Sequence, residues 1–385
     1  MKPALAKFLM VVFSTVVTVS VAEVGARLLF GPPGPHTTFL KSHLELLADL
    51  PDTEREQFIA DYRTLRQRAF TTYHDYHLFS IRQLDTETIG YIGPMSARRT
   101  PDSIPMEQAD LVVWMFGGST MQNFELPDQR TIANLVARNL QQAGRAAHVV
   151  NYGVGTFQSS LELIKFQSLI ARNSGYRTPD IAVFYDGYND ADQGYQFGAG
   201  VLQQDLRAKL SLLVGRDHGG LLRYGAAMYL SERFRLFELL LFKVLAPASI
   251  FDGNVYDSSP ANLDHAVDIY RTNTDMIRAS GKALGIKTLF LLQPLVVTKE
   301  GLSDAEQAFV GGLAPARRTF VRDFYERTRA TGGAHDDFVD LSGGVDQSGN
   351  TDFFDLGHIG PKAAEPIARG ITEAILVRIN APASP

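Results

Sequence analysis

Four short clusters in this chain carry side chains able to do acyl-transfer chemistry. The first is "FGGST", where Ser119 follows paired glycines at the end of the apolar run "LVVWMF". A serine hydroxyl is a weak nucleophile until a base removes its proton. His358, in "DFFDLGH", offers an imidazole that titrates near neutrality, with Asp355 three residues before it and Asp352 six before it. The other two clusters suit hydrogen-bond donors. In "NYGVGT", Gly153 and Gly155 free the backbone to point amides into a crevice, and in "YDGYND", Asn189 follows Gly187, which permits close approach. Alone, each cluster is ordinary: Ser and Thr are favoured helix N-caps, and Asp186 and Asp190 read as turn-stabilising carboxylates.

The elements that must position these residues make the combination more specific. From about residue 110 the chain alternates strand-like and helix-like segments: "LVVWMF", "TIANLVARNLQQAG", "HVVNY", "SLELIKFQSLIARN", "DIAVFYD". The alternation resumes with helix "ANLDHAVDIYRTNTDMIRASGKALG", strand "KTLFLLQ", one long helix "DAEQAFVGGLAPARRTFVRDFYERTRA", strand "DFVDL" and a final helix from Pro361. Such alternation implies parallel βαβ crossovers in an α/β domain. Ligands of open parallel sheets bind beyond the carboxyl ends of the strands. The four clusters fall at such ends, after the first, second, third and fifth strands, and Gln293 and Pro294 end the fourth.

In this order the blocks resemble those of the SGNH hydrolases, the GDSL-like esterases, over most of residues 109–380. Ser119 matches the nucleophile block, "NYGVGT" the glycine block, Gly187, Asn189 and Asp190 the asparagine block, and Asp355 and His358 the D-x-x-H block. Gly118 stands where the G-D-S form has aspartate, and Thr156 where glycine is frequent. The resemblance implies a three-layer fold around a flavodoxin-like parallel sheet of about five strands. It also implies a catalytic triad of Ser119, Asp355 and His358, favouring Asp355 over Asp352. The oxyanion hole would use the Ser119 amide, the amide of Gly155 or Thr156, and the Asn189 side chain. No cofactor or metal is implied. There is no G-x-S-x-G elbow of the α/β-hydrolase type. "YHDYH", with His74, Asp75 and His77, reads as hydrogen-bonding residues rather than a metal site.

The N-terminus speaks to location. Lys2 and Lys7 precede the uncharged run Phe8 to Ala22, and Glu23 and Arg27 interrupt "EVGARLLF" before "GPPGP". Two outcomes fit: an uncleaved single-pass anchor in the inner membrane, with the domain in the periplasm or outside the cell, or a signal peptide cut after Ala22. Leu28, Leu29 and Phe30 resume the apolar character and favour the anchor. The expected organisation is therefore an anchor or signal at 1–30, a partly helical leader at 31–108 and the catalytic domain at 109–380. A helical insertion is expected at about 195–258, amphipathic and packed on its own domain, with membrane contact or a cover over the active site as the alternatives.

In a chain of 385 residues, 45% hydrophobic with a net charge of −5, nothing marks a nucleic-acid footprint. The absence of cysteine excludes disulfides and a thiolate nucleophile. Expected partners are an acylated glycan or other ester, and the membrane through the N-terminal helix. Three functions remain in view: a serine esterase acting on O-acetyl groups of a surface or secreted polysaccharide, an O-acyltransferase or lipid esterase with the same acyl-enzyme, and a non-catalytic binding protein on the same fold.

Overall fold

The computed structural model describes residues 3–30, 47–67, 71–92, 94–172, 177–200, 214–216, 218–240, 255–345 and 349–381. The chain forms two compact units. One joins residues 42–201 and 255–385, the other residues 1–41 and 202–254. Lys2, the "GPPGP" break and the insertion segments 201–213 and 241–254 lie outside the described residues.

The larger unit is built on an eight-stranded sheet. Its parallel strands are β6 (Leu111–Gly117), β7 (Ala147–Asn151), β8 (Ile181–Asp186), β9 (Lys287–Leu292) and β10 (Phe338–Asp340), side by side in the order β7, β6, β8, β9, β10. This is the flavodoxin-like order expected, second strand beside first and then third to fifth. Every residue of β6 and β8 is buried, so both sheet faces are covered. Helices Ile132–Gln142 and Pro361–Asn380 pack together, and helix Pro260–Leu284 packs with Ser159–Arg172, Tyr188–Phe197 and Pro315–Gly332. Register aligns Phe116, Phe184 and Phe290 across β6, β8 and β9. Their rings stack at 4.8 and 5.3 Å, which fixes the central strands relative to one another.

Two features add to or depart from the sequence reading. First, the partly helical leader also carries strands. After helix Asp52–Gln67 it forms a hairpin of β1 (Thr71–His74) and β2 (Leu78–Ile81). It then adds three antiparallel strands to the sheet edge beside β7: β3 (Leu84–Asp85), β4 (Gly90–Ile92) and β5 (Ala97–Arg98). Second, the long helix expected over 304–330 is two, Asp304–Gly312 and Pro315–Gly332. Pro315 cannot donate into a continuing helix and pushes Ala314 to extended backbone, ψ 131°.

The smaller unit holds a helix from Pro3 to Phe30, of which Met10–Phe30 is long and apolar enough to cross a membrane, with mean hydropathy 1.6. Helices His218–Arg233 and Arg235–Leu240 of the insertion belong to this unit, and the second packs on the N-terminal helix.

Candidate active site

Strand β6 ends at Gly117, whose φ of +157° starts the turn, and Ser119 opens the one-turn helix Ser119–Gln122. Space is tight here. A Cβ on Gly118 would collide with Asn189 Nδ2, and one on Gly153 would lie 2.5 Å from the Gln122 nitrogen. Glycine before Ser119 thus lets the β8 loop approach, and Gly153 lets the β7 loop lie against helix Ser119–Gln122. A Cβ on Gly155 would stand 3.9 Å from Ser119 Cβ, so the second glycine block runs beside the nucleophile.

Ser119 Oγ lies 2.7 Å from His358 Nε2. On the other side of the ring, Nδ1 is 2.9 and 2.8 Å from the two Asp355 oxygens. Asp355 Oδ1 also accepts the amides of Gly357 and His358, at 3.0 and 2.9 Å, which folds the D-x-x-H turn so that both side chains face Ser119. Burial alone would raise the Asp355 carboxyl. The His358 charge and these hydrogen bonds outweigh it and hold the group down at about 2. Asp352 has another task. Its carboxylate meets buried Lys299 Nζ at 2.7 Å, and Lys299 pairs with Glu306 at 2.8 Å. Glu306 in turn accepts the amides of Asp352 and Phe353 at 2.9 and 3.1 Å, fixing the start of the loop that delivers His358.

Asn189 lies in the first turn of helix Tyr188–Phe197, and its Nδ2 donates one hydrogen to the Phe157 carbonyl at 2.6 Å. That amide nitrogen carries a second hydrogen, beside Gly118. Thr156 adopts φ +69°, uncommon for a β-branched residue, which accounts physically for the usual glycine there. Asp190 acts across segments rather than only within its own turn, accepting the Ser159 amide at 3.2 Å and hydroxyl at 2.5 Å at the start of helix Ser159–Arg172. Burial pushes Asp186 and Asp190 up, to about 8 and about 6. Gln293 accepts the Thr120 hydroxyl at 3.1 Å, so the fourth strand also ends against the nucleophile helix. His74 and His77 stack at 3.7 Å, His74 Nε2 faces the Met95 sulfur, and burial drives the His77 ring down to about 2.

Sequence reasoning missed Glu125. Its side chain is buried, and Oε1 lies 3.3 Å from His358 Nε2, the nitrogen that faces Ser119 Oγ. Burial raises this carboxyl to about 7 against the opposing pull of His358. Burial opposes charge on His358 too, but Asp355 and then Glu125 push the imidazole up to about 9. The chain reaches this position because Asn123 ends the nucleophile helix in the left-handed region, φ 48°. Asn123 then donates to the Thr120 carbonyl at 2.7 Å and accepts the Ile132 amide at 2.9 Å. Phe124 and Tyr188 stand edge-on to the His358 ring at 5.8 and 6.2 Å. A cavity of about 660 Å³ around Met95, Met106, Trp114 and Tyr152 has neither Ser119 nor His358 in its wall.

No family model matches the chain, and no curated protein sequence does. Solved structures do. An acetyl xylan esterase is 12% identical with a TM-score of 0.34, covering 69% of this chain and 100% of its own. A GDSL-like lipase from Bacteroides thetaiotaomicron is 12% identical with a TM-score of 0.36, covering 71% and 91%. A member of the lipolytic G-D-S-L family from Veillonella parvula is 11% identical with a TM-score of 0.37, covering 68% and 96%. At this level of likeness the chemistry of the site rests on the chain's own atoms.

Proposed function

We propose that this chain is a membrane-anchored serine esterase of the SGNH type, acting outside the cytoplasm on O-acetyl groups of a surface or secreted polysaccharide. The observation that carries the ester chemistry is the hydrogen-bonded relay from Asp355 through His358 to Ser119, with ring contacts of 2.8 Å on Nδ1 and 2.7 Å on Nε2. In this reading Ser119 Oγ attacks the ester carbonyl while His358 Nε2 takes its proton. Asp355 holds the ring tautomer and stabilises the imidazolium that forms. The carbonyl oxygen, now an anion, takes hydrogen bonds from the Ser119 amide, the Gly155 amide and Asn189 Nδ2. His358 returns the proton to the departing alcohol, leaving acyl-Ser119. Water attacks next, with His358 again as base, and releases the acid and free enzyme. A sugar hydroxyl in place of that water would make the same enzyme a transferase.

Location and substrate rest on separate supports. Basic residues before a 21-residue apolar stretch direct the following chain out of the cytoplasm. A site for an O-acetyl group needs room for one methyl only, so a longer acyl chain would lose transition-state binding there. The test is a fluorophosphonate probe, which should label the purified protein and leave Ser119→Ala unlabelled though folded. Equal labelling of the variant would rule out Ser119 as the nucleophile.

A further inference from the structure

The N-terminal helix and the insertion are joined by reciprocal capping of helix ends. Glu23 lies within the apolar stretch Met10–Phe30, about 10 Å before its end at the helical rise per residue. A carboxylate at that depth is costly unless paired. Its oxygens accept the amides of Arg235 at 2.8 Å and Leu236 at 2.7 Å, the first turn of helix Arg235–Leu240, and Arg27 Nε at 2.6 Å. Arg27 Nη2 donates to the Arg233 carbonyl at 2.6 Å, closing the end of helix His218–Arg233. Arg235 Nη2 donates to the Phe30 carbonyl at 3.1 Å, closing the end of the N-terminal helix. The break between the two insertion helices is thus clamped at the level of Glu23. Large apolar side chains nevertheless point outward from the insertion: Leu222 is 75% exposed, and Tyr229, Phe234 and Leu240 are exposed as well.

We propose that the insertion is a second membrane contact, its helices lying in the interfacial layer of the bilayer that the N-terminal helix spans, with lipid as the partner of their exposed apolar side chains. The inference rests on the reading of that helix as a retained span. Depth is the argument: bonds that neutralise Glu23 hold the start of helix Arg235–Leu240 below the end of the apolar stretch. The residue types agree with that depth, with Tyr229 and Phe234 suited to the interface and Arg223 and Arg233 able to reach headgroups.

The chain has no cysteine, so single cysteines report without background. Full-length Phe13→Cys, Leu222→Cys, Leu240→Cys and Val377→Cys variants would be labelled with bimane. They would be reconstituted into phosphatidylethanolamine and phosphatidylglycerol vesicles containing brominated phosphatidylcholine. The proposal expects loss of fluorescence with a blue shift at positions 13, 222 and 240, and neither at 377. Quenching at 13 with none at 222 and 240 would overturn the membrane contact of the insertion while leaving the span intact. No quenching at 13 would overturn the span and the proposal with it. Adding Glu23→Ala should reduce quenching at 240 but not at 13, and equal quenching at 240 would refute the clamp.

Discussion

Whether Ser119 can react turns on the proton at His358 Nε2. Asp355 on Nδ1 and Glu125 3.3 Å from Nε2 both favour imidazolium, which places the ring at about 9. The base must be neutral, so kcat/KM should rise with pH through that region rather than through the ordinary histidine range. Replacing Glu125 by Gln removes one of the two carboxylates that stabilise the imidazolium and lowers the ring's pKa. The acid limb of the pH profile should therefore move to lower pH, raising activity at neutrality, and an unmoved limb would show that Glu125 carries no charge when His358 titrates. Asn189→Ala should lower kcat by about a hundredfold to a thousandfold with KM little changed, the loss typical of one oxyanion donor. Steady-state kinetics on a chromogenic acetate ester measure both. Ser119 and Asn189 were legible because each follows a strand end beside glycine, and His358 because Asp355 precedes it by three residues just before the last helix, well beyond the end of β10 at Asp340. Glu125 was not, because "NFELPDQ" has no periodicity or spacing that marks it; only the left-handed turn at Asn123 brings it to His358.

The loop that carries Glu125 is held by the edge strands that sequence periodicity did not reveal. Arg98, at the end of β5, is fully buried. It donates to Asp128 Oδ1 at 2.6 Å, to the Leu126 carbonyl at 2.7 Å and to the Tyr91 hydroxyl at 3.0 Å. Arg99 reaches the second Asp128 oxygen at 2.5 Å, and Tyr91 accepts Gln122 Nε2 at 3.0 Å, one turn from the nucleophile. Removing the central carboxylate leaves a buried guanidinium without its counter-charge. Asp128→Ala should cost roughly 3–5 kcal/mol of stability by chemical denaturation, whereas a loss below about 0.5 kcal/mol would place the pair among ordinary surface contacts. Strands β6, β8 and β9 were readable because their apolar runs mark them as buried on both faces, and β7 and β10 by their places in the alternation of strands and helices. Strands β3, β4 and β5 are two or three residues each, too short for alternation to register. The split after Gly312 was written in "GGLAP", where Pro315 outweighs the helical pattern on either side.

At the scale of the whole molecule, the chain leaves the α/β unit and returns to it, and the excursion pairs with the N-terminal helix. Glu23 and Arg235 are 212 residues apart, and no local pattern in either segment names the other. Around the site, by contrast, the helices and loops after β6, β7 and β8 converge as the alternation implied. If the substrate is an O-acetylated glycan, acetyl esters of a chromogenic phenol are cleaved with higher kcat/KM than octanoyl esters. A preference that rises with chain length would transfer the substrate reading from glycan to lipid. The central claim is that the acyl group passes through Ser119. Rapid acid quenching during turnover of the acetate ester, followed by peptide mass spectrometry, tests it most directly: one acetyl group should appear on the peptide containing Ser119 and vanish in Ser119→Ala together with turnover. Undiminished turnover in Ser119→Ala would contradict the account.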